Sequence, residues 1–263
     1  MLRCALRPFG AALFVLIFGG CGACRSQSAD RSAPRFEAYL SGDYSGRAGD
    51  LSSSTVWSLF GPIAEPGFRL KLDGFANIYG DTNAGLFSNS FLAADLKASG
   101  DIMAGYQFNR GSLWVKVYAG AAYQDQMRLI WQAGKIVQQQ NWGAAAAVES
   151  YWRPSERIWT SVNLSWFESG NNTTLYSKAG YRIFRNDGGL EISAGAEAAA
   201  TVKNADAFKE GRSLDLYNDY VRGGALINLR FGSHEFTLSG GLSQASDDTV
   251  WRPYATLSYG KKF

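Results

Sequence analysis

Cysteine, histidine and proline are scarce in this chain, at 3, 1 and 6 residues of 263. All three cysteines, Cys4, Cys21 and Cys24, lie in the first 24 positions. Past them there is no thiol, which excludes a disulfide framework, a cysteine nucleophile and a cysteine-ligated metal. The lone histidine, His234, is not part of an HExxH stretch, so a zinc protease is excluded. Charge of one sign is also lacking. The 26 basic residues against 23 acidic give +3, too slight an excess to mark a nucleic-acid partner. Mean hydropathy lies below zero, and the longest apolar run falls short of the ~20 residues of a spanning helix. Glycine, at 30 residues, and aromatics, at 14%, are plentiful.

That apolar run, 11–18, follows Arg3 and Arg7 and precedes Gly19, Gly20, Gly22 and Ala23. A basic start, a short apolar stretch and small residues make a secretory signal peptide. The expected division is a signal peptide at 1–28, removed after Ser28, a linker at 29–35 and one domain at 36–263. Gly19-Gly20-Cys21 faintly resembles a lipoprotein cleavage box, with Phe18 where leucine is usual. Removing 28 residues takes Arg3, Arg7 and Arg25, which leaves 23 basic and 23 acidic side chains over 235 residues.

From Phe36 onward the hydropathy period is two. Ile102, Ala104, Tyr106 and Phe108 alternate with Asp101, Met103, Gly105 and Gln107. Val221, Ala225, Ile227, Leu229 and Phe231 alternate with Arg222, Asn228 and Arg230. Alternation of this kind puts one set on each face of a strand. The alanine-rich stretches 144–148 and 194–200 are read as strands from their flanks. Twelve strands are expected, near 36–44, 54–60, 67–80, 92–108, 112–123, 136–152, 157–167, 173–185, 190–202, 217–231, 235–244 and 250–263. Tight links near Gly61–Gly67, 109–111, 153–156, 186–189 and 232–235 alternate with longer polar ones near 45–53, 81–91, 124–135, 203–216 and 245–249, the link at 168–172 being short for that class.

Short turns alternating with long loops around even-numbered strands describe an all-β, transmembrane, antiparallel up-and-down β-barrel of a bacterial outer membrane. An even count places both termini on the short-turn, periplasmic side. Hydrocarbon forces closure, since an open edge would leave backbone groups unsatisfied. A secreted β-sandwich or soluble barrel also alternates. The length of the alternation, the polar inner set and the finish in a strand at Phe263 disfavour both. Trp152, Trp166, Tyr181, Phe231, Trp251, Tyr259 and Phe263 are candidate membrane-interface aromatics. Outer-membrane lipid is one expected partner. The assembly machinery is another, reading the C-terminal strand through Phe263, Tyr259 and Leu257, with Lys261 breaking the pattern.

The set opposite the lipid face includes Arg69, Lys71, Asp73, Lys116, Glu149, Lys178, Arg182, Glu191, Glu197, Arg222 and Arg230, seven basic and four acidic. Charges of both signs in a narrow barrel pair with one another and fill it. The alternative is a narrow, mildly cation-lined path for a solute or a sugar chain. Trp114, Tyr118, Trp159 and Phe167 share this face and either stack on sugar rings or fill space. A catalytic site is not expected. His234 falls in a short periplasmic turn, read as solvent-exposed, with no serine nucleophile and orienting acid beside it. No cofactor or metal is expected, and no nucleic acid.

One ordered set of short motifs carries a family likeness. It runs through Asp73-Gly74-Phe75, Ala104-Gly105-Tyr106-Gln107, Val117-Tyr118-Ala119-Gly120, Trp142-Gly143 and Glu149-Ser150-Tyr151-Trp152. It continues through Ala179-Gly180-Tyr181-Arg182, Gly195-Ala196-Glu197, Val221-Arg222-Gly223 and Pro253-Tyr254-Ala255-Thr256-Leu257. In order and spacing these resemble the cellulose biosynthesis protein BcsS family, over most of the chain after about residue 36. The resemblance implies a non-enzymatic outer-membrane barrel accessory to cellulose or exopolysaccharide production or export, either scaffold or narrow conduit. Its implied partners are cellulose secretion components or the glucan chain. It carries over no catalytic residue. Glu149, Arg182, Glu197 and Arg222 fall in family-like motifs and form an expected lumen network. The other readings are a small-solute pore and an outer-membrane hydrolase.

Overall fold

The computed structural model describes residues 33–45, 48–80, 93–130, 135–203, 220–245 and 250–263. The expected leader, and the expected loops at 81–91, 203–216 and 245–249, lie outside or almost outside the described residues. Among the described residues twelve strands follow one another. They are β1 (Phe36–Ser45), β2 (Ala48–Ser58), β3 (Gly67–Gly80), β4 (Ala93–Arg110), β5 (Leu113–Ile130), β6 (Lys135–Trp152), β7 (Ile158–Phe167), β8 (Asn172–Arg185), β9 (Leu190–Lys203), β10 (Tyr220–Phe231), β11 (His234–Ala245) and β12 (Arg252–Lys262). Each pairs antiparallel with the next, and β12 closes on β1. The closing ladder runs from Glu37↔Lys262 to Tyr44↔Ala255. At its end Phe263 N donates to Phe36 O at 2.7 Å, and Arg35 N donates to Phe263 O at 2.7 Å.

The period of two is realised strand by strand. On β10 the outward set Val221, Ala225, Ile227, Leu229 and Phe231 is exposed, while Leu226 and Asn228 on the other face are buried. Phe68, Ile102, Phe108, Ile227, Leu238 and Leu257 are each more than half exposed on the exterior. So much apolar surface facing outward around a closed sheet is a lipid-facing belt. On β5 the belt spans Leu113, Val115, Val117, Ala119, Ala121 and Tyr123 before Asp125 breaks it. Its length agrees with the ~9–11 residues that a tilted strand needs to cross hydrocarbon. Aromatics cluster at the short-turn rim. Phe36 stacks on Trp57 and Phe263 at 5.6 and 4.8 Å, and Tyr106 meets Phe68 and Phe108 at 5.1 and 4.8 Å.

Three expectations are corrected. The polar stretches 45–53 and 124–135 are strand over most of their length: strand reaches Ser45 and resumes at Ala48, and it reaches Ile130 and resumes at Lys135. Ser52–Ser54 and Gln124–Gln126 place polar side chains on both faces, which erases the hydropathy alternation while the backbone ladder continues. His234 is the first residue of β11, only partly exposed. Its Nδ1 lies 2.8 Å from the Tyr259 hydroxyl and its ring stacks on Tyr259 at 6.0 Å. The interior is not uniformly polar either. Met103, Tyr118, Ala122, Ala145 and Ala147, with Phe167 against them, form a buried apolar cluster inside the barrel on β4–β7.

Glycine permits the close approach of strands on this inner surface. A Cβ on Gly120 would sit 2.0 Å from Ile102 O, and one on Gly195 would sit 2.0 Å from Ala179 O. Both contacts are to neighbouring backbone, which cannot turn aside. Gly120→Val and Gly195→Val are therefore expected to abolish the folded barrel, whereas Ala119→Val, on the lipid face, keeps it. The heat-modifiable mobility of the folded barrel on detergent gels distinguishes these outcomes.

Candidate functional site: the barrel interior

Every second residue of each strand points inward, and the ladders bring distant charges together there. Lys71 on β3 lies 2.8 Å from Asp73 Oδ2 and 2.7 Å from Glu149 Oε1 on β6. Glu149 Oε2 is 3.8 Å from Lys116 Nζ on β5, and Lys116 also pairs with Glu37 on β1. The chain Asp73–Lys71–Glu149–Lys116–Glu37 thus ties β3, β6, β5 and β1 across the lumen. Ion pairs of this kind hold when each charge meets several partners, because a lone charge out of water is costly.

A second network fills the side of β8–β12. Glu197 on β9 accepts from the Tyr176, Tyr254 and Ser239 hydroxyls at 2.5, 2.8 and 2.9 Å. Arg222 pairs with Asp43 across from β10 to β1, and Thr256 Oγ1 donates to Asp43 at 2.8 Å. The Arg222 guanidinium lies over the Tyr254 and Tyr176 rings at 4.9 and 5.4 Å, in cation–π geometry. At the short-turn end Glu191 gathers Arg182 at 3.0 Å, Arg230 at 3.5 Å and Arg153 at 3.6 Å. Arg230 reaches Glu235 at 3.4 Å, and Asn228 donates to Glu235 at 2.8 Å.

The expected lumen residues all face inward, but they do not form one surface. Lys71, Lys116 and Glu149 belong to the first network, Glu197 and Arg222 to the second, and Arg182 to the third. Arg69 is 0% exposed. It donates to Ser58 Oγ at 2.9 Å and to the carbonyls of Ile63 at 3.1 Å, Phe68 at 3.0 Å and Glu65, so it anchors the link 59–66. Tyr118 is 2% exposed within the inner apolar cluster, and its ring covers Gly105. Trp159 covers Gly180 and stacks on Tyr151 at 6.4 Å. Both rings fill space over glycines. Trp114 keeps partial exposure, 5.7 Å from the Tyr151 ring with Lys262 Nζ 5.6 Å from its centroid.

The inward charge is more even than the seven basic and four acidic residues suggest. Sequence reasoning missed the inward carboxylates Glu37, Asp43, Asp50, Asp95, Asp101 and Glu235, whose register positions pair them with inward residues of neighbouring strands. They balance the basic side chains. The signal was present in β1, where Glu37, Tyr39, Ser41 and Asp43 alternate with Ala38, Leu40 and Gly42. Among the interface aromatics, Trp152, Tyr181, Phe231, Tyr259 and Phe263 lie toward the short-turn end. Trp166, paired with Thr173, lies at the other.

Glu197 offers a clean stability test, because three hydroxyls and the nearby Arg222 depend on one carboxylate. Glu197→Ala should cost about 3 kcal/mol in urea unfolding from lipid vesicles, from buried donors left without an acceptor. Glu197→Gln, which keeps an acceptor oxygen, should cost clearly less.

Comparison with known proteins gives three results. Among curated proteins none matches. Among solved structures, the β domain of the Bordetella autotransporter BrkA is 15% identical with TM-score 0.46, covering 88% of this chain and 99% of its own. The translocator domain of the autotransporter NalP from Neisseria meningitidis is 11% identical with TM-score 0.49, covering 97% and 94%. The transport unit of the autotransporter AIDA-I from Escherichia coli is 9% identical with TM-score 0.49, covering 97% of both chains. These likenesses say nothing about function. The sequence profile described as cellulose biosynthesis protein BcsS matches residues 38–250, from the third residue of β1 to just short of β12. With that match over most of an outer-membrane-type β-barrel, the chain belongs to the cellulose biosynthesis protein BcsS family.

Proposed function

We propose that this protein is a non-enzymatic scaffold of the outer membrane that supports cellulose production, with its lumen closed by its own side chains. The observation that carries the reading is the run of ion pairs Asp73–Lys71–Glu149–Lys116–Glu37, which joins strands from different sides of the interior. Moving a sugar chain past them would require breaking several pairs at once and leaving charges uncompensated. Tyr118 and Trp159, buried over glycines, offer no ring face to a passing sugar. His234 is engaged with Tyr259 at the short-turn rim and has no role in the interior networks.

In this reading the leader is removed and the termini and short turns face the periplasm. The C-terminal strand serves assembly, and partners among the cellulose secretion components bind the rims. The second reading, a narrow conduit, draws on the polar side chains that the interior still presents.

One strain set separates the two. Deleting the gene should lower cellulose output several-fold, and the Lys71→Met/Asp73→Leu/Glu149→Met triple variant should restore wild-type output. It removes Asp73 together with its partner and leaves Lys116 paired with Glu37. Replacing all members of a buried ion cluster by apolar side chains of similar size is close to neutral for folding. Unchanged output after deletion would sink the cellulose role. Altered output from a correctly folded triple variant would favour the conduit.

A further inference from the structure

At the end opposite the short turns, β4, β5 and β6 run past the lipid belt. Each is 18 residues long, against 10 for β1 and β7. β7 pairs with β6 only from Ala145 to Trp152, so the first part of β6 stands beyond that ladder. The outward face changes character here. Tyr123 and Trp142, opposite one another in the register, close the apolar belt with ring centroids 4.6 Å apart. Trp142 is 76% exposed. The next outward pair is Asp125 and Gln140, and then Met127 and Gln138. Asp125, only 9% exposed, accepts from Gln138 Nε2 at 3.0 Å through both carboxylate oxygens, and Gln140 Nε2 lies 3.4 Å from its Oδ2. On the other flank β4 presents Gly100 beside Tyr123 and Ala98 beside Asp125, so the sheet there carries no bulky side chain.

The chemistry of this patch is specific. The buried carboxylate takes up amide N–H groups of Gln138 and Gln140, which leaves their carbonyl oxygens free to accept from outside. A bare indole face lies one register step away beside the Tyr123 ring, with Gly100 and Ala98 a strand further on. Aromatic faces receive the C–H surface of a pyranose ring, while amide oxygens receive its hydroxyls. The amides and the carboxylate do not suit hydrocarbon, and among the described residues the patch carries no basic side chain for a phosphate. The outward spacing of Gln138, Gln140 and Trp142, two residues apart on one strand, suits an extended chain rather than a single sugar.

We infer that the outward face of β5–β6 beyond the belt, centred on Trp142 with Gln138, Gln140 and Asp125, is a docking surface for a β-linked glucan chain. This rests on the cellulose role proposed above and assigns to it a surface outside the barrel rather than a path through it. The contact holds the polymer against the outer rim after it has left the cell.

Titration of cellohexaose into the full protein in lipid nanodiscs, followed by calorimetry, tests the assignment. Wild type should bind, Trp142→Ala should weaken binding by about tenfold, as loss of one aromatic stack implies, and Gln138→Ala/Gln140→Ala should weaken it several-fold. Trp152→Ala, at the opposite rim, should bind as wild type does. If Trp142→Ala does not assemble, the double glutamine variant decides alone. Absence of cellohexaose binding in wild type, or equal binding by the assembled patch variants, would overturn the inference. So would binding of lipopolysaccharide core oligosaccharide in place of cellohexaose, which would make the patch a headgroup anchor. Cellulose output after gene deletion is independent of these readouts, so failure of the surface and failure of the cellulose role are told apart.

Discussion

Hydrocarbon offers a peptide group no hydrogen-bond partner, and the rest of this structure follows from that constraint. An unpaired strand edge in lipid would leave a row of N–H and C=O groups unsatisfied, at several kcal/mol each. The chain meets the constraint by pairing β12 with β1 and tying Phe263 to Phe36 and Arg35 through the backbone. Once the sheet is closed, the period of two assigns every side chain a side. Apolar residues face the lipid, and polar residues face an interior shared by twelve strands. The curvature that closure demands brings backbones together on the inside, where Gly120 and Gly195 leave room for them.

The interior solves a second problem created by the first. Charges excluded from the lipid face are concentrated in a narrow lumen, and they persist there only by finding partners. Opposite charges from strands far apart in sequence, such as Glu37 with Lys116 and Asp43 with Arg222, supply them. The same pairs that make the charges tolerable also cross the lumen. In the scaffold reading proposed above, stability and closure of the lumen share one cause, and a role in cellulose production turns attention from the lumen to the rims. The rim opposite the short turns has its own chemistry, because the strands that rise past the belt exchange aliphatic side chains for amides and an exposed indole.

Much of this was legible in the sequence. Where one face meets lipid, as on β10, hydropathy alternates and the strand can be read to within a few residues. Where both faces meet water or the lumen, as at Ser52–Ser54 and Gln124–Gln126, the alternation vanishes and strand resembles loop. The inward direction of Lys71, Glu149, Glu197 and Arg222 followed from parity alone. Their partners did not, because which strands meet across a barrel depends on tilt and register that no local pattern records. For the same reason Arg69 read as a lumen cation, whereas it anchors the turn beside it. The inner apolar cluster was hidden because Met103, Ala122, Ala145 and Ala147 sit on a face read as polar from its charged members.

The claim on which the account turns is that the lumen is closed by its own charge pairs. Single-channel recording of the purified protein in planar bilayers addresses it directly. The account predicts insertion without a steady current at moderate voltage. A stable, ohmic open-state conductance from the wild-type protein would contradict it.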